Sequence, residues 1–68
     1  MVRLDELKKQ IKNSGLKLTF IAAQMGITRE TLYNKLEGES EFKASEINML
    51  TRLLKLSKPD RDYIFFDV

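Results

Sequence analysis

The stretch between residues 18 and 38 constrains the fold of this chain most, through the fixed spacing of Ile21, Ala22, Gly26, Ile27 and Leu32. Two helices that cross at about 90–120° over a three- or four-residue turn need a small residue where their backbones approach, and Ala22 is small. The turn needs a residue that tolerates positive φ, which Gly26 supplies. The remaining three residues are apolar and fill the wedge between the helices. The spacing therefore predicts two short helices joined by a tight turn.

Apolar residues elsewhere recur at helical spacing, and together the patterns predict helices over residues 4–14, 19–25, 28–37, 44–56 and 57–66. Gly15 and Gly38 stand where left-handed residues end the first and third helices. Thr28 and Ser57 are the expected N-caps of the third and last helices. Phe42 is expected to anchor the polar loop before the fourth helix. The sequence thus predicts an all-α bundle of about five short helices in one domain, residues 1–68.

The chain contains neither cysteine nor histidine, so it can form no disulfide, zinc finger, thiol nucleophile or histidine-based triad. We expect no metal and no cofactor. No apolar run approaches the roughly 18 residues that span a bilayer, and the N-terminus lacks a signal peptide's apolar stretch, which predicts a cytoplasmic protein without membrane contact. The net charge of +2 permits nucleic-acid binding but does not argue for it.

At its glycines and apolar positions the chain resembles the helix-turn-helix family of phage Cro and repressor proteins, and the matching residues are Gly15, Leu16, Ile21, Ala22, Gly26, Ile27, Thr28, Leu32 and Gly38. A second likeness is to small regulators of Gram-positive phages and mobile elements, and it covers residues 41–46, 53–54 and 64–66. The resemblance implies a lambda repressor-like bundle, a double-stranded DNA operator as partner, and repression of transcription without a small-molecule substrate.

In that family the residues at the start of the third helix contact bases, and by position these are Thr28, Arg29, Glu30, Tyr33 and Asn34. Their chemistry suits the major groove. Arg29 offers a bidentate contact to guanine, Asn34 offers one to adenine, and Glu30 can accept from cytosine, each worth about 1–3 kcal/mol of discrimination. Tyr33 suits a thymine methyl group or a phosphate.

Phosphate contacts are expected from side chains that flank the third helix, namely Lys17, Lys35 and Lys43. Many family members carry a phosphate-contacting glutamine at the start of the second helix, where this chain has Leu18. Thr19 is the candidate that replaces the glutamine. Three lysines of the first helix, Lys8, Lys9 and Lys12, are interpreted as a solubilising surface, as on any small helical protein.

The C-terminal residues are heavily apolar, and some of them must close the core over the first and fourth helices. Core filling is the ordinary role of such residues, and a homodimer contact is the sharper hypothesis. We expect Ile64 and Phe65 to close the core and Tyr63, Phe66 and Val68 to form a candidate dimer patch. A two-fold dimer would place its half-sites about 34–36 Å apart on the operator.

Two alternatives stand beside DNA binding. The polar residues of the third helix are also typical of an ordinary solvated face. The low net charge and four nearby acids, Glu30, Glu37, Glu39 and Glu41, favour a protein-interaction module such as a small inhibitor or assembly factor. An enzyme is the third and weakest hypothesis, since no carboxylate has a partner base or a metal set, and we therefore predict that the protein is not an enzyme.

Overall fold

Five α-helices form all the regular structure of the computed structural model, which describes residues 1–68, and they are α1 (Leu4–Ser14), α2 (Leu18–Met25), α3 (Arg29–Leu36), α4 (Ala44–Leu53) and α5 (Lys58–Phe65). The predicted all-α class and the number of helices are confirmed. None of the five combines the length and the apolarity that a helix needs to cross a membrane.

The local signals that begin α3 and α5 and end α2 are the ones the sequence indicates. Thr28 Oγ1 accepts a hydrogen bond from the backbone N–H of Thr31 at 3.1 Å, and Ser57 Oγ accepts from that of Asp60 at 3.2 Å. Both predicted N-caps are therefore confirmed. Gly26 has φ +74°, in the left-handed region, and ends α2 in the tight turn that leads into α3.

The end of α4 differs from the prediction: the helix stops at Leu53, three residues before the expected Leu56. Lys55 adopts the left-handed conformation with φ +54°. The backbone N–H of Leu56 donates to the Thr51 carbonyl at 3.0 Å, and that of Lys55 to the Arg52 carbonyl at 3.3 Å. These two bonds form the Schellman pattern that normally has glycine at this point. Because a lysine occupies the position, the sequence carries no visible stop signal.

Lys55→Gly is expected to raise the free energy of unfolding by about 0.5–1 kcal/mol. A side chain in the left-handed region destabilises the folded state by about 1–2 kcal/mol, which glycine avoids. The greater flexibility of glycine in the unfolded chain offsets about 0.5–1 kcal/mol of that gain. Urea unfolding followed by circular dichroism measures the change. Arg52→Gly, one turn earlier at an exposed helical position, is the control and should lower stability by about 1 kcal/mol. An unchanged or lower stability in Lys55→Gly would contradict the interpretation that the backbone of Lys55 is strained at the end of α4.

One apolar cluster fills the centre of the bundle, and its buried members are Leu7, Ile11, Ile21, Ala22, Leu32, Leu36, Ile47, Leu50, Ile64 and Phe65. Helix α2 packs against α3 and α4, while α1 packs against α3 and α5. Ile21 and Leu32 are fully buried between α2 and α3, and Ile27 packs on the cluster from the turn. The apolar wedge predicted from the spacing is confirmed.

The N-terminal segment is tied to α5 through Arg3. Its backbone N–H donates to the Ile64 carbonyl at 2.7 Å, and its guanidinium lies 4.2 Å from the centre of the Tyr63 ring and pairs with Asp67. The hydrogen bond from Arg3 lowers the pKa of Asp67. The pair is therefore present at neutral pH and is lost as pH falls through that lowered pKa.

Candidate nucleic-acid interface

The solvent-facing side of α3 carries the side chains that were predicted to contact bases. Thr28, Arg29, Glu30 and Tyr33 are exposed, and Asn34 is half-buried at the edge of the same face. They face outward because the opposite side of α3, formed by Leu32 and the next turn of the helix, packs against the core. The face therefore presents a guanidinium, a carboxylate, a phenol and an amide within two helical turns. The Thr28 hydroxyl, just before α3, accepts from the backbone N–H of Thr31 and donates to its Oγ1 at 2.9 Å.

Lys35 does not lie on this face, and the prediction that it contacts phosphate is wrong. Only 6 % of the residue is exposed. Its Nζ donates to the backbone carbonyl of Glu41 at 2.8 Å and lies 3.2 Å from Oε1 of Glu46. Lys35 follows Leu32 by three residues, so the helix turns its stem toward α4 and away from solvent. Its charge is consequently neutralised inside the protein.

We call the group formed by Lys35, Glu41 and Glu46 the loop clamp. Glu46 is 5 % exposed and also accepts a hydrogen bond from the backbone N–H of Lys43 at 2.8 Å, which satisfies the start of α4. Phe42 packs edge-on against Phe65, with the ring centres 5.9 Å apart. The loop between α3 and α4 is thus held at three points, and the predicted anchoring role of Phe42 is confirmed.

The other predicted phosphate contacts lie at the starts of helices. Lys17 precedes α2, Thr19 lies in its first turn, and Lys43 precedes α4; all three side chains are exposed. Leu18 is half-buried against the core. Leu18 therefore serves packing, and the polar atoms at this end of α2 belong to its neighbours.

A shallow groove of about 260 Å³ lies beside Tyr33, between α1 and α3, and its lining was not recognised in the sequence. We call it the α1 groove. Its residues are Lys8, Ile11, Lys12, Leu18, Tyr33, Leu36 and Glu37. Lys8 and Lys12 are four residues apart and so share one face of α1, but only the packing of α1 on α3 brings them next to a candidate base contact. No pattern within α1 alone distinguishes them from a solvated surface.

Lys8 and Lys12 differ in their electrostatic surroundings. Lys8 Nζ lies 3.0 Å from Oε2 of Glu37, and this hydrogen bond raises the pKa of Lys8. Lys12 is exposed and forms no ion pair. Of the two lysines in the groove, Lys12 is therefore the one with an uncompensated charge.

Comparison with known proteins yields no match to a family model, a curated protein or a solved structure. No group of three or more His, Cys, Asp or Glu side chains is arranged to hold a metal ion. Every buried side-chain nitrogen and oxygen has a hydrogen-bond partner. The free hydrogen-bonding capacity of the protein thus lies on its surface.

Proposed function

We propose that the protein is a sequence-specific, double-stranded DNA-binding transcriptional regulator of the Cro repressor type, which reads the major groove with α3. The observation that carries this proposal is the exposed face of α3 beside a tight turn. Arg29 and Glu30 occupy the first two positions of the helix and Asn34 the sixth, so their polar atoms lie within two turns of its N-terminus. That is the part of a recognition helix that meets base edges.

The mechanism follows from the chemistry of these side chains. The guanidinium of Arg29 donates two hydrogen bonds to guanine, the Asn34 amide pairs with adenine, and the Glu30 carboxylate accepts from cytosine. Lys17, Thr19 and Lys43 contact phosphates and set the position of α3 without reading sequence. The protein then represses by occupying the promoter, and no bond is made or broken.

A homodimer is part of the proposal. Tyr63 is 46 % exposed, Phe66 50 % and Val68 80 %, whereas their neighbours Ile64 and Phe65 are buried. The predicted division of the C-terminal residues between core and surface is confirmed. The exposed three are the candidate dimer patch, and a two-fold dimer would have half-sites about 34–36 Å apart on the operator.

The alternative is a protein-interaction module, which the acidic residues near α3 favour. Phe20, 46 % exposed on α2, gives such a module an apolar contact point. One of the acids, Glu37, is already neutralised by Lys8. The remaining three, Glu30, Glu39 and Glu41, are exposed. DNA binding accounts for the exposed guanidinium and phenol and the half-buried amide of α3 together, and a generic interaction surface requires none of them.

Binding of the wild-type protein to a duplex of random sequence is expected to weaken steeply with salt. Each phosphate neutralised by a lysine contributes a slope of about −0.9 to a plot of log K against log salt, so Lys17 and Lys43 together give about −2 per protomer, and the uncharged Thr19 adds nothing to the slope. Fluorescence anisotropy of a labelled duplex at 20 to 200 mM potassium chloride measures the slope. Absence of binding at the lowest salt would overturn DNA binding and favour the interaction module.

A further inference from the structure

The α1 groove has two kinds of lining. Its floor is apolar and comprises Ile11, Leu18 and Leu36. Its rim carries the ammonium groups of Lys8 and Lys12, the phenol of Tyr33, and the Glu37 carboxylate that is paired with Lys8. A DNA backbone has the complementary pattern, because each deoxyribose presents an apolar face and each phosphate a negative charge. The groove also continues directly into the α3 face through Tyr33, which belongs to both.

We propose that the α1 groove binds the sugar-phosphate backbone of the DNA and that Lys12 contacts a phosphate there. This inference rests on the proposed function. Lys12 is the free cation of the groove, since Lys8 is paired with Glu37 at 3.0 Å. Lys12 therefore has the phosphate-contacting role beside α3 that the sequence predicts for Lys35. The footprint of the protein extends from α3 onto α1, and the apolar Leu18 contacts a sugar where a polar residue would contact a phosphate.

An acidic amphipathic peptide has the same general complementarity to a cationic rim and an apolar floor. The observations favour DNA, because the groove shares Tyr33 with a helix face whose other polar groups suit base edges. A peptide would leave Arg29 and Asn34 unused. Peptide binding is therefore an outcome that the test below separates from the proposal.

Lys12→Gln is expected to reduce the magnitude of the salt slope by about 0.9 and to weaken binding roughly 5- to 10-fold at 0.1 M salt. Lys9→Gln is the matched control, since Lys9 lies on the same helix, is exposed and does not line the groove. Both variants make the same change in net charge. Fluorescence anisotropy with one random duplex and one salt series compares them with the wild type, and thermal unfolding verifies that all three are folded.

A reduced slope in Lys12→Gln together with an unchanged slope in Lys9→Gln supports the proposal. Equal slopes in both variants, or equal losses in both, would overturn it, because Lys12 would then act only through bulk charge or not at all. In those cases the wild type still binds duplex, and DNA binding itself stands. If the wild type binds no duplex at low salt, the inference and the proposed function fail together, and an acidic amphipathic peptide becomes the expected ligand of the groove.

Discussion

Glu46→Ala is expected to lower the free energy of unfolding by about 3–5 kcal/mol, because it leaves the Lys35 ammonium buried without its carboxylate. The two groups are 5 % and 6 % exposed, and their charged atoms lie 3.2 Å apart. The same substitution removes the acceptor of the Lys43 backbone N–H. A domain of 68 residues has only a few kcal/mol of stability, so the variant should be largely unfolded at 37 °C. Urea unfolding at 10 to 25 °C measures the loss.

Two further variants identify the cause of that loss. Glu46→Gln keeps an amide oxygen as acceptor for both partners and removes only the charge, so it should cost less than Glu46→Ala. The double variant Lys35→Met and Glu46→Leu removes both charges together and should recover a large part of the loss, since replacing a buried pair by apolar groups is often close to neutral. A loss below about 1 kcal/mol in Glu46→Ala would contradict a buried, mutually dependent pair.

Capping and turn chemistry made the helices predictable from sequence. Thr28 and Ser57 are caps whose hydroxyl groups act within three residues, and Gly26 provides a turn conformation that needs no distant partner. Lys55 shows the limit of that approach. It takes a conformation usually left to glycine, and only the hydrogen bonds around it, including that from Leu56 to Thr51, reveal the stop.

The candidate site was predictable only where exposure follows from the helix itself. Arg29 and Tyr33 face solvent because Leu32 between them faces the core. Lys35 was misassigned because its burial depends on Glu46, eleven residues later on α4, and on a loop carbonyl. The sequence assigns Lys12 to a solubilising surface, because its neighbours in the α1 groove come from other helices. The environment of a long side chain is set by contacts with other helices and loops, and helical spacing within one helix does not predict those contacts.

Arg29→Ala is expected to remove the preference for one base at one operator position. A bidentate contact between a guanidinium and guanine contributes about 1–3 kcal/mol of discrimination, which corresponds to about 5- to 150-fold in relative affinity. Arg29 is exposed at the first position of α3 and forms no ion pair, so its loss should leave the fold unchanged. Lys43→Ala is the control: it also removes an exposed positive charge, and it should lower affinity by a similar factor for every sequence.

Selection of bound sequences from a pool of random duplexes, carried out in parallel with the wild type and Arg29→Ala, tests most directly whether α3 reads DNA. The wild type should enrich a motif that contains a guanine, arranged as two half-sites if the protein is a dimer. Arg29→Ala should enrich the same motif with that guanine no longer preferred. A wild-type selection without any motif, or an identical motif from Arg29→Ala, would contradict the assignment of α3 as the recognition helix with Arg29 as its guanine contact.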